Sequence, residues 1–136
     1  MKKLFYFLCF FGILGMFACR KSTSTPSYTD NIQNVWQVQS ISDITHTQGM
    51  EDKITNTTGN PGDYFDFRKD GKLYVSLQNG QTKDTSNYSI LSSNQFSVNG
   101  STLANISTLT PNSFIFSIKT NGSGSNYDQS TFTLKR

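Results

Sequence analysis

Short runs of alternating apolar and polar residues are the feature that most restricts the fold of this chain. In residues 65–67, 73–77, 114–118 and 132–134, an apolar side chain stands at every second position. Because successive side chains of a β-strand point to opposite faces, these runs predict strands with one buried and one solvated face. That pattern is typical of antiparallel sheets.

Turn-forming dipeptides separate the runs. Asp-Gly stands at 70–71, Asn-Gly at 79–80, 99–100 and 121–122, and Pro-Asn at 111–112. Asn, Asp and Gly tolerate the positive φ angles that tight hairpins require. The runs and turns together predict eight strands, near residues 35–45, 63–68, 72–78, 84–91, 95–99, 103–109, 113–120 and 127–135.

The short connections favour pairing between strands that are neighbours in sequence. Such a meander has two open edges unless it closes into a barrel. We therefore expect an all-β fold, an eight-stranded antiparallel up-and-down barrel. The alternative is a β-sandwich, for which only the connection at 46–62 is long. A helical bundle is excluded because the 118 residues after position 18 contain one Ala and one Glu, against 46 Ser, Thr and Asn.

The first residues of the chain have the order of an export signal. Lys2 and Lys3 precede an apolar run at 4–18, which ends at Cys19. The small Ala18 before Cys19 resembles a bacterial lipobox. We therefore predict a lipoprotein signal peptide at 1–18 and lipidation of Cys19; an ordinary cleaved signal and an uncleaved anchor are the alternatives.

A polar, Ser- and Thr-rich segment follows the predicted signal. Residues 19–30 are predicted to be the acylated Cys and a flexible tether, and residues 31–136 the barrel domain. By analogy with bacterial lipoproteins, Arg20 after the Cys favours sorting to the outer membrane. Residues 20–29 contain no acidic residue that would indicate surface export. We expect a lipid-anchored protein of the cell envelope that faces the periplasm.

Three segments of the predicted barrel are distinctive: Trp36-Gln37-Val38 in the first strand, residues 65–71 at the first hairpin, and residues 109–116. Together they resemble the lipocalin-like domain of bacterial envelope lipoproteins. The resemblance covers about residues 30–136. It implies a barrel closed at one end and open at the other, used for binding rather than chemistry. It also implies that Lys135 or Arg136 stacks on Trp36.

Large aromatic residues occupy the predicted inner face. The candidate ligand-binding residues among them are Trp36, Phe65, Phe67, Phe114 and Phe116. These side chains either line an apolar cavity or fill the barrel, and the close packing of protein interiors favours a filled core. The connection at 46–62 is far longer than the others, and in lipocalins the connection after the first strand often forms a lid.

The inventory of reactive side chains argues against catalysis. The chain has one His, one Glu and no Cys after Cys19. A His-rich zinc site, a Cys nucleophile and a pair of catalytic glutamates are therefore excluded. We expect no enzyme, no metal and no cofactor. Asp63, Asp66 and Asp70 are expected on a solvated face or in a turn.

The charge after position 18 is only +1, with 10 basic and 9 acidic residues, so no nucleic-acid partner is indicated. The leading hypothesis is a lipid-anchored envelope binding protein for a small apolar or amphipathic ligand, with the membrane reached through the lipid. The alternative is a non-catalytic structural or interaction module with a filled barrel, whose protein partner the sequence does not indicate.

Overall fold

The computed structural model describes residues 28–136. They form a short helix, α1 (Tyr28–Ile32), and nine strands: β1 (Val35–His46), β2 (Lys53–Thr58), β3 (Tyr64–Phe67), β4 (Lys72–Leu77), β5 (Thr82–Ser92), β6 (Gln95–Val98), β7 (Thr102–Leu109), β8 (Ser113–Asn121) and β9 (Tyr127–Lys135). Helix α1 begins within the range predicted for the tether. The predicted signal peptide and Cys19 lie outside the described residues. Within the described part, no helix has the length and apolar character needed to span a bilayer.

The nine strands form one antiparallel sheet that closes on itself. From β3 to β9 each strand pairs with its neighbour in sequence, and β1 pairs with both β3 and β9. Strands β1 and β3–β9 therefore make a closed eight-stranded barrel, with β2 as an additional strand. The predicted fold class is confirmed, and each of the eight predicted strands corresponds to a strand of the barrel.

Strand β2 lies within the segment that the sequence predicted as a loop. It pairs with β1 from Ser40–Thr58 to Thr45–Lys53. The prediction of a structureless connection over 46–62 is therefore wrong for residues 53–58. The prediction failed because this segment is polar. All six residues of β2 are exposed, so the strand carries no alternation of apolar side chains that the sequence could reveal.

Strands β2 and β3 lie one after the other along the same edge of β1. Strand β3 pairs with residues 35–37 of β1 and β2 with residues 40–45, and residues 59–63 bulge away between them. The amide of Gly59 donates to the carbonyl of Gln39, and the amide of Val38 donates to the carbonyl of Asp63. A Cβ on Gly59 would overlap the carbonyl oxygen of Val38, so this close approach requires glycine.

The hairpins alternate between the two ends of the barrel, as the up-and-down topology requires. One end, here called the base, carries α1 and the turns at 68–71 and 110–112. The other end, here called the mouth, carries the β1–β2 turn, the β4–β5 turn at 78–81 and the β8–β9 loop. Asn79 and Asn99 adopt the positive φ angles predicted for their turns, at 56° and 50°.

Helix α1 and the C-terminus close the base. Ile32 is fully buried, and its carbonyl accepts a hydrogen bond of 3.0 Å from the indole Nε1 of Trp36. The guanidinium of Arg136 lies 4.7 Å from the centroid of the Trp36 ring. The stacking of a terminal basic side chain on Trp36 is thus confirmed for Arg136, and it places a cation–π contact at the base of the core.

Candidate functional site

The structure brings the five candidate ligand-binding residues together in the core of the barrel. Trp36, Phe65, Phe67, Phe114 and Phe116 are between 0% and 5% exposed. Their rings contact one another directly: the centroids of Trp36 and Phe114 are 5.4 Å apart, and those of Phe114 and Phe116 are 5.0 Å apart. Such spacing is that of packed aromatic pairs.

Further aromatic rings fill the space around these five. The ring centroid of Phe96 lies 5.2 Å from that of Phe116, and the ring centroid of Phe132 lies 4.9 Å from that of Phe116. Tyr88 packs edge-on against Phe67 and donates a hydrogen bond to the carbonyl of Arg68. The aromatic side chains therefore occupy the lower part of the barrel.

A cavity of ≈250 Å³ lies at the mouth, above the aromatic core. It is bounded by the inner face of β1 and β2, by the segment between β2 and β3, and by the β4–β5 hairpin. Its lining consists of Ile41, Asp43, Thr57, Asn60, Asp63, Leu77, Gln78 and Thr82. None of the five predicted aromatic residues belongs to this lining.

The cavity is apolar on one side and polar on the others. Ile41 and Leu77 both pack against the aromatic core, so they form the floor of the cavity. The remaining six lining residues supply two carboxylates, two amides and two hydroxyls. An apolar floor with a few convergent polar groups is the usual composition of a small-molecule site.

A buried carboxylate fixes one wall of the cavity. Asp63 is 4% exposed, and its Oδ2 accepts hydrogen bonds of 2.9 Å from both the backbone amide and the side-chain amide of Asn60. Its Oδ1 accepts a hydrogen bond of 2.7 Å from the backbone amide of Asn79. Asp63 therefore ties the segment after β2 to the β4–β5 turn.

Opposing influences act on the pKa of this carboxyl. Burial alone would raise the pKa of Asp63, but the hydrogen bonds from the backbone of Asn60 and Asn79 and from the side chain of Asn60 lower it below its ordinary value. The expectation of a solvated Asp63 is wrong. The neighbouring residues follow the sequence prediction: Asp66 pairs with Arg68, and Asp70 caps its turn by accepting from the amide of Lys72.

A second carboxylate lies on the opposite wall of the cavity. Asp43 is half-buried on β1, directly across from Ser130 of β9. The Ser130 hydroxyl donates a hydrogen bond of 2.6 Å to Asp43 Oδ1. Within the described part of the chain, Asp43 Oδ2 has no hydrogen-bond partner. The carboxylate is thus held in place by one oxygen while the other is left available.

A β-bulge in β1 explains why sequence reasoning missed Asp43. Trp36 and Val38 point inward, so strict alternation predicts Ser40 and Ser42 inside. The register of β1 against β9 shifts between Val38 and Ser40, which inserts one extra residue. Ile41 and Asp43 therefore face inward instead. A single inserted residue reverses the facing of the rest of a strand.

The single histidine lies on the outer surface near the mouth. His46 Nδ1 is 2.6 Å from Asp52 Oδ1 in the β1–β2 turn, and its ring stacks on Tyr127 with centroids 4.7 Å apart. Lys119 Nζ lies 3.6 Å from the centroid of the Tyr127 ring. Among the described residues there is no group of three or more His, Cys, Asp or Glu side chains placed to hold a metal ion.

Comparison with known proteins finds no family model that matches this chain and no curated protein with significant similarity.

Proposed function

We propose that this protein is a lipid-anchored, periplasm-facing envelope protein with a lipocalin-like barrel that binds a small amphipathic ligand in its mouth. Its role is binding rather than catalysis. The cavity of ≈250 Å³ above the filled core is the observation that carries the proposal. Its position differs from the site considered from sequence, because the aromatic residues pack against one another below it.

The size of the cavity limits the size of the ligand. Sites for drug-sized molecules usually enclose roughly 300–1,000 Å³. A volume of ≈250 Å³ with a floor of Ile41 and Leu77 suits a compact molecule with one apolar end. The polar end of such a ligand would meet Asp43, Gln78 and Thr82 at the rim.

A ligand-observed NMR titration with 2-phenylethanol, a compact amphipathic probe, tests this binding site. The variant that blocks the cavity is Thr82→Trp. Thr82 lines the cavity but is exposed, so a large side chain there fills the cavity without entering the core. We expect saturable binding to the wild-type domain and its loss in Thr82→Trp. Binding that the variant leaves unchanged would contradict the proposed location.

The lipid anchor rests on Lys2 and Lys3, the apolar run at 4–18, and the Ala18-Cys19 junction. Cys19→Ala should move the protein from the membrane fraction to the soluble fraction or leave it unprocessed, because the acyl chains supply about 0.8 kcal/mol per buried methylene. Mass spectrometry of the mature N-terminus checks the modification. An unmodified mature protein that begins at another residue would contradict it.

The free edge of β2 favours a second candidate function, a non-catalytic interaction module. Strand β2 ends the sheet on one side, its six residues are exposed, and Ile54 is 59% exposed. An open edge strand can accept a strand from a partner. The amide of Gly59 donates to β1, so the continuous register places the amide of Asn56 on the free edge of β2. Asn56→Pro would remove this outward donor; under this alternative it would abolish partner binding and leave probe binding at the mouth unchanged.

A further inference from the structure

We propose that the ligand of the mouth cavity is a small organic cation, an amine attached to a short apolar group, and that Asp43 is the residue that recognises its charge. This inference rests on the proposed binding function and specifies the class of ligand.

The charges that line the cavity are all negative. Asp43 and Asp63 contribute two carboxylates, and no Lys or Arg belongs to the lining. Within residues 28–136 a basic side chain lies beside a carboxylate only at His46–Asp52 and at Arg68–Asp66, so neither cavity carboxylate is neutralised by a basic side chain. A partly enclosed space with this charge attracts cations and repels anions.

The two carboxylates have different roles. Both oxygens of Asp63 accept hydrogen bonds from backbone or side-chain amides, so this group is part of the wall and contributes only its charge. Asp43 accepts one hydrogen bond, from Ser130, at Oδ1. Its Oδ2 remains available to accept a hydrogen bond from an ammonium group. The geometry therefore makes Asp43 the contact residue.

The floor of the cavity indicates an organic cation rather than a metal ion. Ile41 and Leu77 offer no ligand atoms to a metal, whereas they can pack against an aromatic ring or a short alkyl chain. The side chains of Gln78, Thr57 and Thr82 supply further oxygen atoms at the polar side. An amine with a short apolar group matches both sides at once.

A lysine beyond the lining provides one control. By its register with Thr45, Lys53 shares the face of β2 that carries Thr57, four residues away. It lies nearer the rim and does not line the cavity. Asp70→Asn provides a second control. Asp70 is exposed in the β3–β4 turn at the base, and Asn is equally suited to an Xaa-Gly turn.

The test compares three probes of similar shape: 2-phenylethylamine, 2-phenylethanol and 3-phenylpropionate, which are cationic, neutral and anionic at pH 7. Their affinities for the mature protein are measured by NMR titration at low salt. We expect the amine to bind about tenfold more tightly than the alcohol, which corresponds to about 1.4 kcal/mol, and the carboxylate to bind most weakly. Added salt should reduce the preference for the amine.

Three variants test which residue is responsible for the preference for the amine. Asp43→Asn should reduce the preference for the amine over the alcohol to about twofold. Asp70→Asn should retain the preference of the wild type, and Lys53→Gln, which removes a positive charge near the rim, should not reduce it. An amide fingerprint spectrum of Asp43→Asn verifies its fold, and the comparison of the three probes on the wild type needs no variant.

The outcomes separate this inference from the proposed function. If the alcohol or the carboxylate binds as tightly as the amine, the inference is overturned and the binding function stands. If Asp43→Asn keeps the full preference for the amine, the role of Asp43 is overturned. If none of the three probes binds the wild type, both the binding function and the inference fail.

Discussion

Replacement of Asp63 by Asn should destabilise the domain by about 2–3 kcal/mol at pH 7. Asp63 is 4% exposed and accepts three hydrogen bonds, two from Asn60 and one from Asn79. Hydrogen bonds to a charged group contribute about 1.5–3 kcal/mol. In the variant, the amide oxygen can still accept from Asn79, but its NH₂ group then faces the N–H donors of Asn60, which leaves them unsatisfied.

The loss should depend on pH because the pKa of Asp63 is lower in the folded state than its ordinary value. A carboxyl with a depressed folded-state pKa stabilises the fold at any pH above its unfolded-state pKa. That stabilisation declines as the pH falls and is gone below the folded-state pKa. Wild type and Asp63→Asn should therefore differ most near pH 7 and converge at the acid end of the range.

Urea unfolding of both proteins between pH 7 and pH 2, followed by fluorescence of the single tryptophan, measures this difference. Asp70→Asn is the matched control, since Asp70 is exposed and Asn also suits its turn. We expect it to change the unfolding free energy by less than about 0.5 kcal/mol. A difference between wild type and Asp63→Asn that stays constant from pH 7 to pH 2 would refute the reasoning.

Three further changes test the core, the close approach at Gly59 and the extra strand. Trp36→Ala should cost about 3–5 kcal/mol in urea unfolding because the indole is fully buried; an unchanged midpoint would contradict its place in the core. Gly59→Ala should cost about 1–3 kcal/mol because the new Cβ meets the carbonyl of Val38, and thermal unfolding measures it. Replacing residues 47–58 by a flexible Gly/Ser linker of the same length should raise self-association in light scattering, because residues 40–45 of β1 lose their partner; a monodisperse, equally stable product would show that β2 is dispensable.

The sequence predicts the barrel well because most of its strands carry a strong local signal. Phe65 and Phe67, or Phe114 and Phe116, alternate with less buried residues, and all four lie in the core. The turns at Asn79 and Asn99 likewise have the positive φ angles that their dipeptides predict. Where side-chain period and turn chemistry agree, the strand and its inner face follow from sequence.

The mouth of the barrel could not be predicted in the same way. Strand β2 has no buried residue, so its pairing with β1 leaves no apolar pattern in the sequence. The inward position of Asp43 depends on the bulge between Val38 and Ser40, which is a property of the pairing with β9. The burial of Asp63 depends on Asn79, sixteen residues away along the chain. Each of these features arises from contacts between segments rather than from any one segment.

The pairing of the first strand with the last determines when this domain can fold. Nine residue pairs join β1 to β9, from Gln37–Lys135 to His46–Tyr127, and they span almost the entire domain. Contacts so distant in sequence slow folding, because the chain must be brought together end to end before they form. A chain that emerges N-terminus first, from the ribosome or from a membrane channel, therefore cannot close its barrel until residues 127–135 have emerged. Until then one edge of β1 stays unpaired, so the domain completes its fold in a single late event.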